Sequence, residues 1–206
     1  MILRRTEDGV VCYARTGRTV TSHWMDLAVP ARVLPPGTVL DGDAVIWHDR
    51  RMDFGAVQAR ASSSLDRARA LADRLPASYM AFDVLAHPDH GGDALAARPY
   101  TERRTVLVVV LADVDPPLQS VLATVDQDTT LQWYETLQPQ GVEDIVAKPS
   151  GSAYPFGGRT VWCVDCTIWW TVLKRSTWGD RHFTARVALA ESPRDPEEAR
   201  RARADE

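Results

Sequence analysis

The sequence predicts an α+β chain on three observations. Short β-branched segments separated by turn residues fill its first stretch. Two longer apolar segments, Thr38–Trp47 and Ser78–Leu85, have the pattern of strands yet carry carboxylates. Between them, Leu65, Ala68, Leu71, Ala72 and Leu75 fall on one face at helical spacing.

Each element follows from local chemistry. Val10–Ala14 reads as a strand entered through Glu7-Asp8-Gly9, because Asp-Gly is a strong hairpin signal whose central positions favour positive φ. Thr16-Gly17-Arg18 reads as a second turn, and the β-branched Thr19-Val20-Thr21 as a further extended piece. Pro35-Pro36-Gly37 punctuates the chain before the strand at Thr38–Trp47. Asp53 is placed to cap a helix starting at Phe54, and Ser62–Ser64 is a polar break before the helix that Pro76 ends. Ser78–Leu85 reads as a buried strand, followed by a polar turn through Pro88–Gly92. Thr101–Leu111 pits a helix-starting Thr-Glu-Arg-Arg against the β-branched run at 106–110, and is read as helix. Asp126 or Asp128 is expected to cap a helix that runs through Trp133 and Leu137 to Gly141, with a strand following at Val142–Lys148. Beyond Tyr154 the pattern is irregular and rich in tryptophan, and Pro193–Glu206 is a charged tail without an apolar face.

Composition narrows the function. At 206 residues the chain is long enough to bury a core without disulfides or a structural metal. Its longest apolar run is seven residues, Val106–Ala112, against the roughly 20 a membrane helix needs. Acidic residues follow Met1 where a signal peptide would have its apolar core, so a soluble cytoplasmic chain without a membrane partner is expected. The net charge of −4 supplies no general attraction to nucleic acid. The basic residues are nearly all arginine, the only lysines being Lys148 and Lys174. That bias reads either as phosphate-binding capacity or as genomic base composition. Cys163-x-x-Cys166 has a spacing used for zinc or redox chemistry but lacks a second pair.

Three segments set carboxylates in or beside strands that otherwise look buried: Leu40-Asp41-Gly42-Asp43-Ala44-Val45, Ala81-Phe82-Asp83-Val84-Leu85 and Gly141-Val142-Glu143-Asp144-Ile145-Val146-Ala147-Lys148. A buried carboxylate is costly unless a cation, metal or hydroxyl meets it. Converging, the three would line a cleft for a polyhydroxyl, metal-bound ligand. Singly, Asp41-Gly42 could be a strand-end turn, and Asp83 and Glu143 salt-bridge partners.

In order and spacing these segments resemble the adenylation (nucleotidyltransferase) domain of ATP-dependent DNA ligases, above all the bacterial end-joining type. That family carries a K-x-D-G-x-R motif, a G-E strand, F-D-L-L, E-G-(apolar)₃-K and W-x-K-x-K. The resemblance covers about Arg5 to Lys148 and includes Leu34-Pro-Pro-Gly-Thr-Val-Leu-Asp-Gly, Met52-Asp-Phe-Gly-Ala-Val-Gln and Arg98-Pro-Tyr-Thr-Glu-Arg-Arg. It implies antiparallel sheets flanked by helices, with ATP and Mg²⁺ as cofactors and nicked double-stranded DNA as partner. By resemblance Asp43 holds the ribose hydroxyls, with a reach one methylene shorter than the family's glutamate. Phe82 stacks on adenine, Asp83 is structural, Glu143 places the metal, and Lys148 and Lys174 serve the nucleotide phosphates.

The sequence departs from the family in four places. Thr6 fills the lysine slot if Asp8-Gly9 is taken as part of the first motif; the better alignment puts the nucleophilic lysine upstream of Met1. Asp144 replaces the glycine after the metal-placing glutamate. The final motif is divided between Trp162, placed by distance, and Trp170-Thr-Val-Leu-Lys174-Arg175, placed by chemistry. The OB-fold domain that follows in the family is not expected within these 206 residues. The expectation is a partial adenylation domain at 1–175, a remnant of an OB-fold start at 176–190 and a disordered tail at 191–206. It would be a truncated ligase domain unable to adenylate itself. The alternative is a non-catalytic nucleotide- or DNA-binding remnant, or a subunit whose missing segment comes from a separate chain.

Overall fold

The computed structural model describes residues 1–137, 144–156 and 183–188. The expected helix end at Gly141, the start of the next strand at Val142 and Glu143, the cysteine pair, Lys174, the divided final motif and the charged tail all lie outside the described residues.

Among the described residues, nine strands and five α-helices form two sheets with helices packed against them. The larger sheet contains β1 (Ile2–Arg5), β2 (Val10–Tyr13), β3 (Val39–His48), β5 (Ala77–Ala86) and β6 (Leu118–Ser120) in the order β2-β1-β3-β5-β6, with the short β4 (Arg51–Met52) paired to the end of β3. Every pairing is antiparallel except β5 with β6. The smaller sheet has β9 (Phe183–Ala188) between β7 (Ala123–Thr124) and β8 (Asp144–Pro149), all antiparallel. Helix α2 (Phe54–Ala61) packs on β3, while α1 (Met25–Ala28) and α4 (Tyr100–Leu111) pack on β5; α3 (Leu65–Arg74) and α5 (Gln127–Leu137) complete the set.

The strand pattern is set by burial. Leu3, Cys12, Leu40, Tyr79 and Ala81 are each fully buried in the core. Strand alternation puts Tyr13, Ile2 and Asp41, which are successive cross-strand partners, in one row on the opposite face, and a register shift between Asp41 and Gly42 brings Asp83 into that row opposite Asp41. Gly42 keeps β3 and β5 close, because a Cβ there would lie 2.6 Å from the Met80 carbonyl oxygen and 2.7 Å from the Tyr79 ring. The Tyr79 hydroxyl donates to the carbonyls of Met1 (2.9 Å) and Leu40 (3.2 Å). Arg60, fully buried, lies 4.5 Å over the Trp24 ring and donates to the His23 carbonyl (2.9 Å) and to Asp26. The other Asp26 oxygen accepts from the Ala77 amide at 2.9 Å, so one ion pair joins α1, α2 and the start of β5.

Several local expectations need correcting. The β1–β2 hairpin forms, but Gly9 has no positive φ; its turn is closed by Thr6 N–H donating to the Gly9 carbonyl at 2.8 Å. The positive-φ pair occurs instead at Asp49 (49°) and Arg50 (64°), joining β3 to β4 without any glycine. Thr19–Thr21 forms no strand. A single bridge from Thr19 to Tyr13 leads directly into a helical turn at Thr21–His23. Asp41-Gly42 is not a strand-end turn but the middle of β3. Residues 183–188 form β9, paired with β7 and β8. Among the described residues, no helix is long and apolar enough to cross a membrane.

Candidate nucleotide site

The cluster most suited to chemistry lies where β8 meets β5. Between Asp41 and Gly42 the β3–β5 register shifts: Asp41 faces Asp83, Gly42 faces Ala81, and Phe82 is the extra residue. Such a bulge re-aims side chains, and here the consecutive Phe82 and Asp83 both come near Lys148 of β8. The Lys148 ammonium is 2.9 Å from Asp83 Oδ2, 5.4 Å from the Phe82 ring centroid and 4.5 Å from that of Tyr100.

Asp83 is fully buried and receives two cations. Arg103 approaches side-on, Nε 2.8 Å from Oδ1 and Nη2 3.1 Å from Oδ2, and the Val84 amide donates to Oδ1 at 3.1 Å. Arg103 also donates to the carbonyls of Arg98 and Ser152, the latter at 2.9 Å. One guanidinium thereby secures Asp83 and the segment that follows β8. That segment is held further by Tyr154 N–H donating to the Ala96 carbonyl at 2.8 Å. Its result is a contact between residues 113 apart: the Tyr154 hydroxyl donates to Asp41 Oδ2 at 2.8 Å.

Asp41 is buried, and burial pushes its carboxyl above the ordinary value, with Asp43 adding to the rise. The Met1 amine, the Tyr154 hydrogen bond and Lys148 oppose the shift. Burial first, then Asp41, pushes the Tyr154 phenol up. Asp43 is less enclosed, its side chain 43% exposed, and its Oδ1 lies 3.6 Å from the Met1 nitrogen. The same nitrogen is 4.0 Å from Asp41 Oδ1, so one amine meets both carboxylates.

Of the residues singled out in the sequence, Asp43 and Phe82 stand on neighbouring strands, Asp43 being the partner of Met80, two residues from Phe82. Lys148 comes from the other sheet to Phe82. Glu143 and Lys174 lie outside the described residues. Asp41, Arg103 and Tyr154 were not singled out as site residues. Arg103 had a signal: it sits four and eight residues before the buried Leu107 and Leu111, on the inward stripe of α4. Tyr154 had none, because its partner is distant in sequence.

The donor set suits the sugar of a nucleotide: carboxylates accept from hydroxyls, and two cations and an aromatic ring lie alongside. Among the described residues, no group of three potential ligands could hold a metal ion. A second, open hollow of about 790 Å³ is lined by Arg18, His23, Gln58, Ala61, Ser62 and Ser63. Its polar groups are largely engaged: the Ser62 and Ser63 hydroxyls donate to the carbonyls of Gln58 and Arg60 (2.8 and 2.9 Å), and His23 Nε2 meets the Ser63 carbonyl at 3.0 Å.

Comparison with known proteins agrees with this picture. Residues 1–163 match the family model described as an ATP dependent DNA ligase domain, and the chain belongs to that family. It is similar to DNA ligase C of Mycobacterium tuberculosis, at 36% identity over 175 residues covering 80% of this chain and 48% of the relative. DNA ligase C2 of Mycolicibacterium smegmatis is 33% identical over 174 residues, covering 81% of this chain and 48% of the relative. The chain thus spans about half the length of these relatives. The fold matches a solved structure titled mycobacterial DNA ligase D complexed with ATP and MES, with a TM-score of 0.56 at 24% identity over 78% of this chain and 48% of that one. The mixed sheet-and-helix architecture expected from the sequence is therefore that of a ligase adenylation domain.

Proposed function

We propose that this chain is the nucleotide-handling part of a DNA-sealing enzyme of the cytoplasm: it binds ATP with Mg²⁺ between its two sheets and acts on nicked double-stranded DNA. The observation that carries the reading is the meeting of Lys148 from β8 with Phe82 and Asp83 of β5, beside a β3 strand bearing Asp41 and Asp43. In this reading Asp43 accepts from the ribose hydroxyls and Phe82 stacks on the base. A stack of that kind is worth about 1–3 kcal/mol. Lys148 offsets phosphate charge, joined by Lys174, and Glu143 places the metal. Phosphoryl-type transfer needs that neutralisation because charge builds on the non-bridging oxygens.

Transfer of AMP through the enzyme needs an unprotonated lysine amine. Residues 1–206 contain only Lys148 and Lys174, and Lys148 is committed to Asp83. The reading is therefore that this polypeptide binds nucleotide reversibly and takes no covalent AMP, the nucleophile coming from a segment outside these residues. A non-catalytic nucleotide- or DNA-binding role is the second reading, favoured by the same lysine shortage. The test is to incubate the 206-residue chain with Mg²⁺ and α-labelled ATP, measuring equilibrium binding and label retained after denaturation. Binding without retained label is expected. No binding refutes the nucleotide site, and retained label refutes the missing nucleophile. Supplying a lysine-motif peptide in trans separates the two readings, since only a sealing enzyme would then become labelled.

A further inference from the structure

The hairpin that joins β3 to β4 projects from the larger sheet. The pairing of β5 with β3 reaches only to Ile46, and beyond it Trp47 and His48 have Met52 and Arg51 of β4 as cross-strand partners. The turn consists of Asp49 and Arg50, both with positive φ (49° and 64°). A two-residue turn of this kind strongly favours Asn-Gly or Asp-Gly, because glycine enters the left-handed region without steric cost. Asp49 suits its position. Arg50 places a long side chain where glycine would serve the fold better. Backbone strain at an exposed turn calls for a use of the side chain that causes it.

Charge and exposure suggest that use. Residues 47–51 are all exposed. Both carboxylates near the tip turn to its histidine: Asp49 Oδ2 lies 3.9 Å from His48 Nε2, and Asp53 Oδ2 lies 3.7 Å from His48 Nδ1. Among the described residues Arg50 forms no ion pair, so its guanidinium is uncompensated. Arg51, the partner of His48, stands with it on the other face of the hairpin from Trp47. Trp47 leaves 39% of its surface exposed. Leu40, Ala44 and Ile46 turn to the core, so strand alternation puts Trp47 on the face of β3 that carries Asp43. A free arginine fork suits phosphate oxygens, and an exposed indole beside it offers a flat surface to a neighbouring nucleotide.

We propose that the tip of the β3–β4 hairpin is a DNA contact, in which Arg50 meets a backbone phosphate and Trp47 packs against the adjoining nucleotide. This rests on nicked DNA being the partner in the reading above, and it adds a surface outside the nucleotide site. The net charge of −4 supplies no general attraction to DNA, so binding has to come from local groups such as these. Trp47 stands about 13 Å along the strand from Asp43, and the turn about 20 Å from it. A duplex running along β3 from a nucleotide held at Asp43 therefore reaches the tip after about six base pairs, at about 3.4 Å each.

The experiment titrates the 206-residue chain into a fluorescein-labelled duplex with a nick and about ten base pairs on either side of it, followed by anisotropy at about 50 to 200 mM salt. The parent is expected to bind. Arg50→Gly is expected to melt no lower than the parent, because glycine fits the turn, and yet to bind DNA more weakly. One phosphate contact contributes about 0.9 to the slope of log affinity against log salt, so parental affinity should fall about three- to fourfold more than that of the variant across this range. Trp47→Ala is expected to lose about fivefold or more at every salt concentration with the slope unchanged. Arg69→Gln removes the same charge from α3 and should bind as the parent does. Arg50→Gly should also bind ATP as the parent does. Parental affinity and slope in Arg50→Gly overturn the contact, and so does an equal loss in Arg69→Gln, which would make the effect one of net charge. If Arg50→Gly destabilises the chain, Trp47→Ala decides, and parental affinity there overturns the contact. These outcomes leave DNA standing as the partner. Absence of parental DNA binding overturns that partner and this inference with it, while ATP binding reports on the nucleotide site separately.

Discussion

Replacing Asp83 by asparagine keeps the shape of the side chain and removes the one negative charge between Arg103 and Lys148. All three side chains are fully buried. Three charged contacts, at 2.8, 3.1 and 2.9 Å, converge on its two oxygens. Removing one partner of a buried ion pair costs about 3–5 kcal/mol, chiefly because the remaining charge is left without compensation. Here two cations lose the same anion, so Asp83→Asn belongs at the upper end of that range. A domain has about 5–15 kcal/mol of stability in all. Lys148→Met is the informative comparison. It preserves side-chain length and leaves Asp83 in its two-bond pairing with Arg103, so the loss is closer to about 1.5–3 kcal/mol, one hydrogen bond to a charged group. Arg103→Met should fall between them, since it also releases the Ser152 carbonyl. Urea unfolding followed by far-UV circular dichroism gives the ranking, provided the slope with denaturant is unchanged. A Lys148→Met variant losing as much stability as Asp83→Asn would refute the assignment of Asp83 as the shared anion.

Two further outcomes follow from the core. Gly42→Ala puts a methyl group 2.6 Å from the Met80 carbonyl oxygen, which cannot swing aside as a side-chain tip would. A loss of about 1–3 kcal/mol is expected by overpacking, and a variant melting with the parent would contradict the close β3–β5 approach. Burial pushes the Cys12 thiol up to about 11, so only about a thousandth of it is thiolate at pH 8 even before access is considered. In a Cys163→Ser/Cys166→Ser background, labelling by a thiol reagent should follow unfolding and accelerate with urea; rapid labelling of the native chain would show that β2 does not pack as described.

The elements legible in the sequence were those whose local chemistry and burial agree. β3 and β5 were visible because apolar residues fill most of their positions, and α2 because Asp53 caps it, accepting from the Ala56 amide at 2.8 Å. Helix α4 was readable despite Val106–Val110 because its inward stripe is Arg103, Leu107 and Leu111; Val108 and Val109 remain exposed on the other side. The β3–β4 hairpin was invisible, since Asp49 and Arg50 adopt positive φ where the usual signal is glycine. Of the site, the carboxylate-bearing strands could be read because each breaks an apolar pattern. Arg103 and Tyr154 could not be assigned to their partners, because nothing in a single sequence links position 103 to 83 or 154 to 41.

The same pattern explains why these carboxylates are informative. In an ordinary buried strand, Asp41 and Asp83 would be replaced by apolar residues, at a gain in stability from avoided desolvation. They face each other across β3 and β5, beside one of the two register shifts between these strands, the one that admits Phe82. Each has drawn a partner from the far end of the chain, Tyr154 for Asp41 and Lys148 for Asp83. A pair of buried anions, a bulge beside them and two long-range donors are separately unfavourable or neutral for folding. Their coincidence at the junction of two sheets has a physical rationale only if the junction holds something polar. On the proposed reading, local consistency is broken there because a bound nucleotide, rather than packing alone, set the residue types.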